Sequence, residues 1–217
     1  MARNKYPEVT VQKILDVSSE IFLQKGYENT SINDIAKALK MTKGAIYYHF
    51  ASKEELLKQV MENFFQDMNW FITIQKDTKT TGLEKIRKVF RHELGDDKKR
   101  KMDKLSTPFF KDPTMLLHQL ESSVHEVAPV FASFIEEGNA DGSLSVEHPG
   151  EVAEILLLLI NVWLNPFLFP GTITTFQTKM ETFNQMMAGL GLPILDEPLK
   201  EICINYYKDV TNQTKSK

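Results

Sequence analysis

Apolar positions recur along this chain at three- and four-residue intervals, and no stretch sustains the alternation of a half-buried strand. Over residues 9–25, Val11, Ile14, Leu15, Ser18, Ile21 and Phe22 share one helical face, and Gly26 supplies a left-handed stop. Ile32, Ile35, Ala36 and Leu39 then fall at i, i+3, i+4 and i+7, a single apolar stripe. Ser31 and Asp34 stand at its start as an acidic variant of the capping box. Thr42 offers a second N-cap three residues after Leu39, and the helix it opens carries Ile46 and Phe50 one turn apart. Residues 30–50 therefore predict two short helices and a tight turn. Lys43, Tyr47, Tyr48 and His49 are left on the second helix's free face, the donors and aromatics that a groove reader needs.

The rest of the chain follows the same period. Ser52 and Glu55 form a further capping box, and Leu56, Leu57, Val60, Met61, Phe64, Phe65 and Met68 predict one long helix over residues 52–74. Helices are expected over residues 82–94, 113–138, 149–164, 176–190 and 197–210, with the 113–138 helix kinked or split by Pro129. The charged run 96–104 reads as a solvated turn plus a short helix, residues 139–144 as a turn-rich break, and the tail as disordered. The uncharged stretch 155–178 is interrupted by Asn161, Asn165, Pro166, Pro170 and Gly171, so its apolar helix is too short to span a bilayer, which takes about 20 residues.

Composition adds constraints. A chain of 217 residues can bury a core without metals or disulfides. Its single cysteine, Cys203, excludes an internal disulfide framework and reads as a buried filler in a reducing, cytoplasmic setting. The polar start argues against a secretory signal. The net charge of −3 conceals an asymmetry: residues 1–58 carry nine Lys or Arg against seven Asp or Glu, and the remainder is acidic. Local lysines rather than global charge would attract phosphate, and Arg3 and Lys5 either follow a nucleic-acid backbone or form a solvated terminus.

Between Ile14 and Leu57, the residues Ile14-Leu15-Asp16, Phe22, Lys25-Gly26-Tyr27, Ser31, Asp34-Ile35-Ala36, Lys43-Gly44, Ile46-Tyr47-Tyr48-His49-Phe50 and Ser52-Lys53-Glu54-Glu55-Leu56-Leu57 resemble the TetR family of bacterial transcription regulators. Lys40 departs from the pattern, standing in the turn where relatives usually place Gly and where a positive φ is expected. The resemblance implies an all-α fold with an N-terminal three-helix bundle holding the helix-turn-helix, and a larger C-terminal helical domain for ligand binding and dimerisation. The expected divisions are 1–54, 55–211 and a tail over 212–217.

In such a head Lys43 would donate to guanine O6 or N7. Gly44 and Ala45 would let the helix start sit deep in the groove, and Asn33 would touch a base or a phosphate. Tyr47, Tyr48, His49, Ser31, Thr42 and Lys53 match family positions that mostly hold phosphates, with Thr30 nearby. Two structural alternatives stay open: Tyr47 buried beside Ile46, and His49 bonded to a neighbouring carbonyl.

The resemblance further implies a homodimer on a palindromic operator, paired through the last large helices. Leu156, Leu159, Ile160, Trp163, Phe183 and Met187 are the seam candidates, with plain core the alternative. Phe109, Phe110, Met115, His118, Trp163, Phe167, Phe169, Met180, Phe183, Met186 and Met187 either line a cavity for a small apolar or amphipathic effector or fill core. No metal or cofactor is expected, and no catalytic motif is present: His92 and Glu93 abut without a second His one turn on. An architectural or division-linked DNA binder without an inducer is the remaining alternative.

Overall fold

Side chains open most of the helices. Ser31 accepts from the Asp34 amide at 3.2 Å, Thr42 from Ala45 at 3.2 Å, Ser52 from Glu55 at 3.0 Å, Thr172 from Thr175 at 3.1 Å and Asp196 from Leu199 at 2.9 Å. Each satisfies an amide that the first helical turn leaves without a partner. The computed structural model describes residues 7–65, 69–105 and 113–211, apart from the side chains of Pro7, Phe64 and Phe65. Arg3, Lys5, Phe109, Phe110 and the tail 212–217 lie outside the described residues. Within them the protein is all-helical, with no strand.

The chain divides into two compact units, Met1–Met68 and Asn69–Lys217. The first holds α1 (Pro7–Lys25), α2 (Ile32–Leu39), α3 (Lys43–Tyr47) and α4 (Lys53–Phe65). Ile14, Phe22, Ile35, Ile46 and Leu56 are fully buried at its centre, drawn from all four helices. Leu56, Leu57, Val60 and Met61 bury α4 here, so α4 belongs with the head rather than being cut at residue 54. The single helix expected over 52–74 is described as α4 and, in the second unit, α5 (Asn69–Lys76).

The second unit continues with α6 (Gly82–Gly95), α7 (Asp97–Leu105) and α8 (Pro113–Ser122). A π-helical turn, Ser123–Val127, leads into α9 (Ala128–Asp141); then come α10 (Pro149–Leu158), a second π-turn Leu159–Trp163, α11 (Ile173–Gly189) and α12 (Glu197–Val210). α9 packs on α6 and α10. A Cβ on Gly82 would stand 2.1 Å from the Phe134 carbonyl oxygen and 2.2 Å from the Gly138 nitrogen, so only glycine lets the start of α6 touch the backbone of α9. The rings of Phe131 and Phe134 meet at a tilt, centroids 6.1 Å apart, with Phe90 likewise tilted 5.6 Å from Phe131.

The sequence anticipated a disturbance at Pro129, and the π-turn is its form. Proline has no amide to bond and crowds the carbonyl four residues back, and widening the preceding turn relieves both. The second π-turn closes with the Leu164 amide on the Leu159 carbonyl at 2.8 Å, and Asn161 donates across to the Ser123 hydroxyl of the first at 2.9 Å.

The charged run differs from expectation. α7 buries Met102 and Asp103, and Lys99 reaches both Asp103 at 3.0 Å and Glu93 at 3.2 Å. Tyr206, far along the chain, donates to Asp103 at 3.0 Å. Burial, reinforced by the Asp103 charge, pushes the Tyr206 hydroxyl well above its ordinary value. Burial also raises the Cys203 thiol to about 12, leaving it inert as a filler.

Asp196 ties the last helix to α6: it caps α12 and pairs with Arg91 at 2.5 Å and Arg87 at 3.6 Å. Burial alone would raise its carboxyl, but the Leu199 amide and the two guanidinium groups outweigh burial and hold it below the ordinary range. A depressed carboxyl contributes its stability above the unfolded value of about 3.9 and loses it as pH falls through the folded value. Asp196→Asn keeps a capping oxygen but drops the charge. The variant should therefore melt below wild type at pH 7, with the gap closing below about pH 4. A gap that persists undiminished into acid would show that the charge contributes nothing.

Candidate nucleic-acid interface

The free surface of the head is set by what its anchors leave over. α3 is a five-residue helix whose Ile46 is fully buried, and Phe50, one turn on, is 3% exposed. With these two fixed, Lys43, Gly44, Tyr47 and Tyr48 turn outward, Tyr48 at 84% and Tyr47 at 50% exposure, so Tyr47 is not packed away beside Ile46. His49 is half-buried, with its ring edge-on to Tyr48 at 5.0 Å. A Cβ added to Gly44 would meet only the Thr42 hydroxyl, at 3.9 Å. No contact with the described residues requires glycine there.

The edge of α2 lies on the same sequence block. Ser31 caps it reciprocally: its amide donates to the Asp34 carboxylate at 2.9 Å while its hydroxyl accepts from the Asp34 amide. The Ser31 hydroxyl and then its amide hold the Asp34 carboxyl below its usual value. Asn33 is half-buried beside it.

Two of the expected phosphate contacts have other work. Thr30 is only 2% exposed, and its hydroxyl donates to the Gly26 carbonyl at 2.8 Å, so it shapes the loop before α2 and is not a surface contact. Lys53 donates to the carbonyls of Tyr27 at 2.9 Å and Thr30 at 3.0 Å and sits 4.0 Å from the centre of the Tyr27 ring. It pins the start of α4 to the 27–30 loop. The capping signals around it identify the helix start but say nothing of this tie, which spans more than twenty residues of sequence.

Comparison with known proteins matches this geometry. The family profile described as "Bacterial regulatory proteins, tetR family" matches residues 14–60, and that of the "Tetracyclin repressor-like, C-terminal domain" matches residues 94–186. The chain belongs to the TetR family. Its head is 40% identical over 60 residues to the biofilm operon negative transcriptional regulator IcaR of Staphylococcus epidermidis, covering 28% of this chain and 31% of that protein. It is 45% identical over 64 residues to the transcriptional regulator AcrR of Shigella flexneri, covering 29% and 30%. The match thus spans about a third of each of these relatives, which are transcriptional regulators and not enzymes. Among solved structures, a transcriptional regulator from Cytophaga hutchinsonii superposes with a TM-score of 0.60 at 19% identity over 95% of this chain and 96% of that one. Salmonella enterica GusR does so with 0.56 at 18% over 88% and 99%. These likenesses show the fold.

In the TetR-family body the candidate seam residues fall differently from expectation. Leu156, Phe183 and Met187 are buried in the chain's own core, and Leu159, Ile160 and Trp163 pack partly against it. Ile155 and Leu158 on α10, and Met186 and Leu190 at the end of α11, are the apolar side chains that face outward, at 36–44% exposure. A helix apolar nearly all round gives no periodic signal for which face turns in, and packing within the chain is what separates Leu156 from Ile155 and Leu158.

The described pocket candidates differ in their surroundings. Phe183 is core, His118 is exposed, and Met115 and Phe167 are half-buried. Trp163 and Phe169 flank the Lys179 ammonium, which donates to the Trp163 carbonyl at 3.0 Å. Met180 packs with Phe176 and Tyr207 and borders a groove of about 680 Å³ between α11 and α12. That groove is lined by the polar residues Gln177, Glu181, Asn184, Glu197 and Lys200 together with the apolar Met180, Leu195, Pro198 and Ile204.

Lys53→Ala removes two charge-assisted hydrogen bonds and a cation–π contact at a half-exposed site, and should cost the head about 1–2 kcal/mol. Denaturant unfolding, together with faster amide exchange over residues 26–31, measures this. Unchanged stability would mean that the lysine contributes only to ligand binding.

Proposed function

We propose that this protein is a cytoplasmic transcriptional repressor that binds a palindromic DNA operator as a homodimer and is released by a small effector. The carrying observation is the α3 surface: an unobstructed Gly44 between Lys43 and the exposed Tyr47 and Tyr48, on a helix whose other face is locked by Ile46 and Phe50. A helix start stripped of bulk can sit deep in the major groove. There Lys43 reaches guanine O6 or N7 and the Ala45 methyl meets thymine. Ser31, Thr42, Tyr47, Tyr48 and His49 then hold phosphates and fix the register, while Asn33 reads or positions beside them.

One head reads few base pairs, so specificity requires two copies on a symmetric body. Ile155, Leu158, Met186 and Leu190, exposed apolar side chains of α10 and the end of α11, supply the paired face. Repression follows the relatives: IcaR is named as a negative regulator. Effector release is supported by the A-factor receptor protein of Streptomyces griseus, 39% identical over 62 residues. A Saccharomonospora viridis regulator of the same fold was solved with choline. An effector that prefers one arrangement of the body shifts the population away from the DNA-bound state by its differential affinity. A thermal-shift screen with lipophilic cations and acyl compounds should find a stabilising ligand. A screen without any hit favours the inducer-free architectural binder instead.

Selection of duplexes from a random library by the purified protein should recover an inverted repeat. Lys43→Ala should relax preference at one base pair per half-site by about 1–3 kcal/mol. Gly44→Ala should leave the fold as stable as wild type or slightly more so, because alanine is the better helix former, yet weaken DNA binding. Wild-type affinity in Gly44→Ala would contradict close approach at α3.

A further inference from the structure

We propose that Lys40, in the turn between α2 and α3, is a phosphate-holding residue of the reading head. The inference rests on the DNA-reading function proposed above. Lys40 is the one residue other than glycine with positive φ among the described residues, at φ 54° and ψ 39°. The turn needs that conformation but not that side chain. It is closed by backbone bonds alone, the Met41 amide on the Ala36 carbonyl at 2.9 Å and the Lys40 amide on the Lys37 carbonyl at 3.1 Å. Glycine makes this helix stop without the crowding of a Cβ.

Nothing among the described residues pairs with the lysine. Its side chain is exposed and makes no hydrogen bond or ion pair with the described residues. The carboxylate nearest in sequence, Asp34, is engaged by Ser31 and lies 3.7 Å from Lys25. Strain retained without an internal partner points to a partner outside.

Position names the chemistry of that partner. Three Cα–Cα steps, at most about 11 Å, separate Lys40 from Lys43 at the start of α3. An ammonium on a flexible four-carbon stem at the shoulder of a groove-reading helix suits a point contact to a phosphate oxygen rather than bidentate base reading. The competing explanation is that Lys40 merely complements the carbonyl end of α2. That explanation makes Lys40 a stability residue with no bearing on DNA.

The test compares wild type with Lys40→Gly, Lys40→Asn and Lys40→Arg, the first two accepting the left-handed conformation without charge. Each protein is titrated onto a labelled mixed-sequence DNA duplex between about 50 and 200 mM salt, where phosphate contacts dominate binding. Lys40→Gly and Lys40→Asn should lower the slope of log affinity against log salt by about 0.9 per bound head, and weaken binding about eightfold per head near 0.1 M salt. Lys40→Arg should keep the wild-type slope. Lys40→Gly should also raise the melting temperature by about 2–4 °C, since it relieves strain. A wild-type slope in Lys40→Gly would overturn the assignment of Lys40 alone. Failure of the wild-type chain to bind duplex DNA at low salt would overturn the reading of the head and, with it, this contact.

Discussion

Two residues of backbone, Lys40 and Met41, lie between the last residue of α2 and the cap of α3, and the orientation of the reading face follows from them. The left-handed turn at Lys40 stops α2, and Thr42 restarts the chain as a helix in a new direction. Ile46 and Phe50 then lock the new helix into the core that Ile14, Phe22, Ile35 and Leu56 share. Once those anchors are seated, the 3.6-residue period leaves no freedom over which side chains face out. Gly44, Tyr47 and Tyr48 are exposed because their neighbours are not.

The loop ahead of α2 is fixed by polar groups turned inward. Thr30 and Lys53 both spend their donors on carbonyls of the 26–30 segment, which holds the Ser31 cap in place relative to α4. Ser31 and Thr42, by contrast, stay at the surface. The body uses the same economy at Asp196, where one carboxylate caps α12 and joins it to two arginines of α6.

Helix existence and most helix ends were legible because caps and apolar stripes are local. The start of α6 and the bounds of α12 stand where the pattern placed them, and α6 ends one residue later than expected. The start of α11 lies earlier than the apolar stripe suggested, because the Thr172 cap and not the first buried Phe176 sets it. What the pattern missed depends on contacts distant in sequence. α7 looked solvated because its partners Tyr206 and Glu93 lie on other helices, and Tyr206 is 103 residues from Asp103. The burial of Thr30 was not legible for a related reason: a small polar residue beside a capping box looks the same whether its hydroxyl faces water or a carbonyl. On α10, unbroken apolar sequence carried no phase, so only packing could separate the buried Leu156 from the outward Ile155.

The central claim is that the short helix opened by Thr42 is the surface that meets DNA. Backbone amide NMR shifts of the whole protein, titrated with a selected duplex at low salt, test it most directly. The account predicts that the largest changes fall on residues 31–33 and 40–49, with α1 and α12 nearly silent. Changes concentrated on α1 or on the second unit, with residues 42–48 unmoved, would contradict it.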